Sequence, residues 1–163
     1  MRRSDSGACR GSVLVEGALA TLPLLAFLMG TLDIAFAVFA KNTLQFAVRQ
    51  GARYAVTSQT MTGMGQDQSI KTTVENYSLG FLDAVSPNHN GMKQVTIAYY
   101  DPVTLALVSG TGSNFGGNIV VVSATGLSWA WMIPLLHSAT PLNFAVASAD
   151  IMEASPLGGP PPR

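Results

Sequence analysis
From Gly17 to Ala40 the chain carries a single ionisable residue, Asp33. A run of that length and polarity can cross a bilayer as one helix, since the hydrocarbon core takes about 20 apolar residues. A cleaved secretory signal predicts a shorter apolar region, about 7–15 residues, ending at a small-residue cleavage site. Here the run passes without a break into a helical pattern. A helix buried in a soluble core predicts an apolar stripe, whereas this run is apolar on every side. The reading is therefore a membrane helix, with the rest of the chain as a head.

Composition agrees with a small anchored domain. The 163 residues carry nine basic and nine acidic groups, net charge zero, and only 11% of residues are charged. That is well below the usual quarter, and nothing is basic enough for nucleic acid. The one cysteine, Cys9, excludes an internal disulfide or a cysteine metal site. "SGAC" resembles a lipobox, but Cys9 precedes the apolar region, whereas a lipidated cysteine follows it. Arg2, Arg3 and Arg10 before the run balance Lys41, Arg49 and Arg53 after it. Arg10, nearest the membrane, favours a cytoplasmic N-terminus.

Glu16 stands just inside the apolar run. A carboxylate facing lipid unpaired costs on the order of a few kcal/mol. Either Glu16 is hydrated at the headgroup boundary, or it is paired. In Arg10-Gly11-Ser12-Val13-Leu14-Val15-Glu16, a cut after Gly11 would make Ser12 a new amino terminus. In a bundle of identical staggered helices that amine can meet Glu16 of a neighbour and set axial register.

That spacing resembles the type IV prepilin signal. More narrowly, the chain resembles the TadE-like pseudopilins of the tight-adherence (Flp pilus) system. The resemblance is carried by Arg10-Gly11, Val15-Glu16, Leu22-Pro23-Leu24-Leu25 and Ala52-Arg53-Tyr54-Ala55, sharpest from Arg10 to about Thr57. It returns loosely in residues 128–154. The residue after the glutamate is commonly aromatic in that family; here it is Gly17. The resemblance implies a minor pilin or pilus-assembly protein of the bacterial inner membrane, with a cytoplasmic N-terminus and an extracytoplasmic head. It also implies cleavage after Gly11 by a prepilin peptidase, with Gly11, Ser12 and Glu16 as the processing and assembly residues. Other pilus subunits are the implied partners, and incorporation into a surface pilus is open. The competing expectation is a single-pass envelope-binding module outside any pilus.

Within the span, Pro23 removes a backbone donor and can bend the helix, which the family tolerates. Asp33 lies 17 residues beyond Glu16, about 25 Å along a helix. It is either an interface residue touching water or a packing contact with a partner. Gly30 and Thr31 are small enough for another helix to approach. Beyond the span, Leu44, Ala47, Val48, Gly51, Ala52 and Ala55 recur at helical spacing, with Lys41, Gln45, Arg49 and Arg53 on a solvated face. The rod therefore continues to about Ser58.

The expected fold is α+β: a long N-terminal helix packed on a small antiparallel sheet, pilin-like. The expected boundaries are leader 1–11, membrane helix 12–40, head 41–155 and disordered tail 156–163. In the head, a second helix is expected over residues 68–85, ended by Ser86-Pro87. Residues 93–101 alternate as a strand, a turn at Asp101-Pro102 leads to a partner strand at 103–108, and residues 118–126 and 143–153 read as two more. Between the last two, residues 127–136 form a short apolar piece broken by Pro134.

No chemical motif emerges. Gly110–Gly117 lacks the G-x-G-x-x-G spacing and precedes a strand, so it reads as a hairpin loop. His89 and His137 are isolated, no zinc pair and no G-x-S-x-G occur, and Asp67, Glu75 and Asp83 read as a solvated helix face. Trp129, Trp131 and Met132 read as a core flap rather than a partner patch. The expectation is a protein without enzymatic activity or cofactor; an enzyme would need a ligand pocket around His89 or His137.

Overall fold
The computed structural model describes residues 9–133, 140–156 and 158–163. Leader residues 1–8, Pro134 and His137 lie outside them. Helix α1 (Cys9–Val56) is 48 residues long and includes Pro23 without interruption, a rod of about 70 Å at 1.5 Å per residue. Its two halves differ. From Val13 to Leu32 no residue is buried. From Asp33 onward one stripe is covered: Asp33, Ala37, Ala40, Leu44, Val48 and Ala52 are each at most 2% exposed. The steps of three and four place these on one face, and mostly small side chains let the helix lie close to what it covers.

The covering layer is α2 (Gln66–Tyr77), α3 (Phe81–Ala84) and an antiparallel sheet of order β2-β1-β3-β4. The strands are β1 (Val95–Tyr100), β2 (Leu107–Val108), β3 (Ile119–Trp129) and β4 (Leu142–Ile151). The architecture is α+β, as expected. Leu44 and Val48 of α1, Ile70 and Val74 of α2, Leu82 of α3 and Val120 and Val122 of β3 form one buried cluster.

Three local departures from the sequence reading have clear causes. The helix expected over 68–85 is two helices, because Leu79 (φ 53) and Gly80 (φ 80) are both left-handed and stop helical propagation. The second strand is only two residues long, because the amides of Val103 and Thr104 donate to Asp101 Oδ1 at 2.8 and 2.7 Å and close a local turn instead. The apolar piece beginning at Leu127 is in part the end of β3. A register shift between Ala124 and Leu127 on the β4 side marks a bulge, with Gly126 at φ 70. Core positions before it are Val120, Val122 and Ala124; after it they are Leu127 and Trp129. The extra residue changes the phase of the alternation, so both halves of β3 face α1.

The end of the tail, residues 158–163, lies against the head. Pro162 O accepts from the Gln66 amide at 2.7 Å and Pro161 O from Asn114 Nδ2 at 2.9 Å. Arg163 pairs with Asp67 Oδ2 through Nη2 at 2.8 Å and Nε at 3.0 Å. A proline-rich segment has little flexibility to lose on docking, and main-chain carbonyls rather than apolar side chains hold it.

Candidate functional site
The sequence-derived site lies at the start of α1. Gly11 and Ser12 sit in its first turns as helical backbone. Glu16 follows one turn after Ser12, so the two positions share a face about 6 Å apart along the axis. Glu16 is exposed, and among the described residues it has no hydrogen-bond or ion-pair partner. Among the described residues the head comes no nearer than the stretch from Met29 to Asp33, and none of its groups reaches Glu16. Whatever offsets its charge comes from solvent, lipid headgroups, its own amino-terminal end or another molecule.

A second polar centre marks where α1 enters the head. Asp33 is 2% exposed. Its Oδ1 accepts from Trp129 Nε1 at 2.9 Å, and its Oδ2 from the Met132 amide at 2.8 Å and the Ile133 amide at 3.3 Å. Neither of the two readings open from sequence describes this: Asp33 is buried against the chain's own head rather than touching water or a partner. Trp129 reaches Asp33 because the β3 bulge keeps it on the core face. The flap reading of Trp129 and Met132 resolves in two ways: Trp129 is 9% exposed in the core, whereas Met132 is 59% exposed. Met29, Leu32, Asp33 and Phe36 of α1 line a cleft of about 210 Å³ with Met132 and Ile133.

A third cluster surrounds the tail. Tyr99 is 1% exposed, its hydroxyl donates to Asp67 Oδ1 at 2.9 Å, and the Arg163 guanidinium lies 4.8 Å from its ring centre. Burial, then the neighbouring Asp67 carboxylate, pushes the Tyr99 phenol well above its ordinary range. The Asp67 hydrogen bond raises Arg163 further above its ordinary value. On the β1–β2 turn, backbone amides of Thr104 and Val103 hold the exposed Asp101 carboxyl below its usual range. The acids read as a solvated face are thus engaged at two of three positions: Asp67 as above, and Asp83, which accepts from the Gly91 amide at 2.7 Å. Glu75 makes no such side-chain contact among the described residues. Sequence spacing alone held no sign of the Asp67–Tyr99–Arg163 group, whose members are distant in the chain.

On the other face of α1, Lys41, Arg49 and Arg53 are exposed, as expected. Gln45 departs from that face by donating to Ala147 O of β4 at 2.8 Å. Gly110–Gly117 lies in the connection from β2 to β3, with Asn114 buried at 1% exposure and bonded to Gln66 Oε1. His89 lies in a tight turn at φ 50. Among the described residues no group of three His, Cys, Asp or Glu side chains could hold a metal ion.

Comparison with known proteins gives one match. Residues 11–53 fit the family model described as TadE-like protein. The resemblance read from the sequence is borne out over that segment, which begins at Gly11 and ends at Arg53. No curated protein and no solved structure matches the chain. A TadE-like segment points to a protein associated with the Tad pilus, and α1 is long and apolar enough to anchor it in a membrane.

Proposed function
We propose that this chain is a minor pilin-like structural or assembly subunit of a tight-adherence (Flp) pilus, held in the bacterial inner membrane by α1 with its head outside the cytoplasm. The observation that carries the reading is the coincidence of two boundaries. The TadE-like match starts at Gly11, and from Val13 to Leu32 the helix has no buried residue, the described part of the head touching only its last turn at Met29, Gly30 and Leu32. Those 20 residues measure about 30 Å, the thickness of a hydrocarbon core.

On this reading a prepilin peptidase cuts after Gly11, and the Ser12 amine pairs with Glu16 of an adjoining copy. Pairing removes the cost of a carboxylate near lipid and fixes the axial offset between neighbouring rods. Small residues at Gly17, Ala18 and Ala20 allow close approach there. The protein acts by lateral association and performs no catalysis.

The test is co-expression with a prepilin peptidase, followed by N-terminal sequencing of the membrane-extracted protein. A mature chain starting at Ser12 is expected. Glu16→Ala should leave membrane insertion intact while abolishing cysteine cross-links between α1 helices of neighbouring copies. A chain still starting at Met1 beside an active peptidase, with cross-linking unchanged by Glu16→Ala, would leave an anchored envelope module outside any pilus as the better reading.

A further inference from the structure
We propose that the Trp131–Ile133 loop of the head is a membrane foot, seated at the headgroup boundary of the outer leaflet beside the exit of α1. The inference rests on the reading of α1 as a membrane span and adds a second lipid contact to it.

Depth is the first argument. Asp33 lies 17 residues beyond Glu16, about 25 Å, and a hydrocarbon core is about 30 Å thick. With Glu16 at the inner boundary, Asp33 sits at the outer edge of the core rather than clear of it. The loop is fixed at that height, because the Met132 and Ile133 amides and the Trp129 indole all donate to Asp33.

Polar satisfaction is the second. Backbone amides near hydrocarbon must find acceptors within the protein, since water is scarce there. Asp33 supplies them for two consecutive residues of the loop. The same bonds give the carboxyl group the donors it needs at that depth. The Trp131 indole is likewise satisfied internally, donating to Thr140 O at 3.0 Å.

The third argument is what the foot presents. Met132 is 59% exposed, and the facing α1 residues Leu32 and Phe36 are 45% and 50% exposed. Span and loop share one cleft of about 210 Å³, apolar except for the buried Asp33, so the exposed apolar surface of α1 continues onto the head. From Asn118 to Ala149, which takes in all of the β3–β4 hairpin except the last two residues of β4, the sequence contains no Asp, Glu, Lys or Arg. No formal charge there needs desolvating, and tryptophan favours the membrane–water interface.

The experiment uses the full chain in phosphatidylcholine vesicles. Cys9→Ser removes the native thiol; Met132→Cys or Leu22→Cys then takes an environment-sensitive nitrobenzoxadiazole label. Met132 offers only its amide to Asp33, so the replacement leaves the anchoring bonds in place. At position 132 the label should be shielded from aqueous iodide and quenched most by nitroxides near the headgroup end of the acyl chains. At position 22 quenching should be strongest from nitroxides near the chain ends. Iodide quenching at 132 with protection at 22 would overturn the foot and leave the span standing. Iodide quenching at both positions would overturn the span and the foot with it. Protection at 132 without nitroxide quenching would mean that protein, not lipid, covers the loop, and would also overturn the proposal.

Discussion

Replacing Asp33 by alanine tests the joint between rod and head most directly. Two short bonds lose their acceptor, from Trp129 Nε1 at 2.9 Å and from the Met132 amide at 2.8 Å. A buried donor stranded in this way costs about 1–3 kcal/mol; the Trp129 indole is buried and the Met132 amide only partly so, so the pair costs about 2–4 kcal/mol. The Ile133 contact at 3.3 Å adds little. Removing the carboxyl group also removes its own desolvation cost, which lowers the net loss to about 1–3 kcal/mol. Asp33→Asn keeps one acceptor oxygen and should lose about half as much. Urea unfolding in detergent micelles, followed by the near-ultraviolet circular dichroism of the tryptophans, reads the loss. A double-mutant cycle with Trp129→Phe isolates one bond, with an expected coupling of about 1.5–3 kcal/mol for a charge-assisted donor. Additive single changes, or a loss under about 0.5 kcal/mol of the kind surface substitutions give, would refute the claim that Asp33 ties the two parts together.

Two further outcomes follow from the packing of the head. Gly51→Ala should lower the thermal midpoint, because its Cβ would fall 2.5 Å from Val74 Cγ2 on α2. Overpacking of about 1–3 kcal/mol outweighs the gain of about 1 kcal/mol in helix propensity, and Val74→Ala should restore part of the loss; a raised midpoint would contradict this. Tyr99 sets an alkaline limit: its folded phenol is held above the ordinary value of 10.0, so its contribution is complete below that pH and is lost as pH rises past it. Urea midpoints measured across that range should hold level and then fall, less steeply in Asp67→Asn; equal slopes would remove Asp67 as a cause.

The elements legible in the sequence were those set by short-range pattern. An unbroken apolar run and a small-residue stripe defined α1, and alternation in residues 95–100 and 119–124 defined the central strands. The rest depended on backbone states or distant partners that periodicity does not encode. Leu79 and Gly80 break a helix whose apolar spacing continues past them. The bulge at Gly126 resets the strand phase, so Leu127 and Trp129 looked like a separate segment when read at period two. The tail reads as unable to pack because it lacks apolar side chains, yet two proline carbonyls and one arginine dock it. At the candidate site, Gly11, Ser12 and Glu16 were visible as spacing in one helix. Asp33 was visible only as an anomaly, since the donors that explain it arrive from about a hundred positions later.

Because the second half of α1 supplies one wall of the head's interior, anchor and globule cannot be separated at the lipid boundary expected from hydropathy. A chain beginning at Lys41 would lack Asp33, Ala37 and Ala40, and would open the floor under Trp129. The mechanical corollary is that a pull on the membrane rod loads the β3–β4 hairpin directly, with no pliant hinge between them to absorb it. Tension along α1 would reach the hairpin through the indole–carboxylate contact.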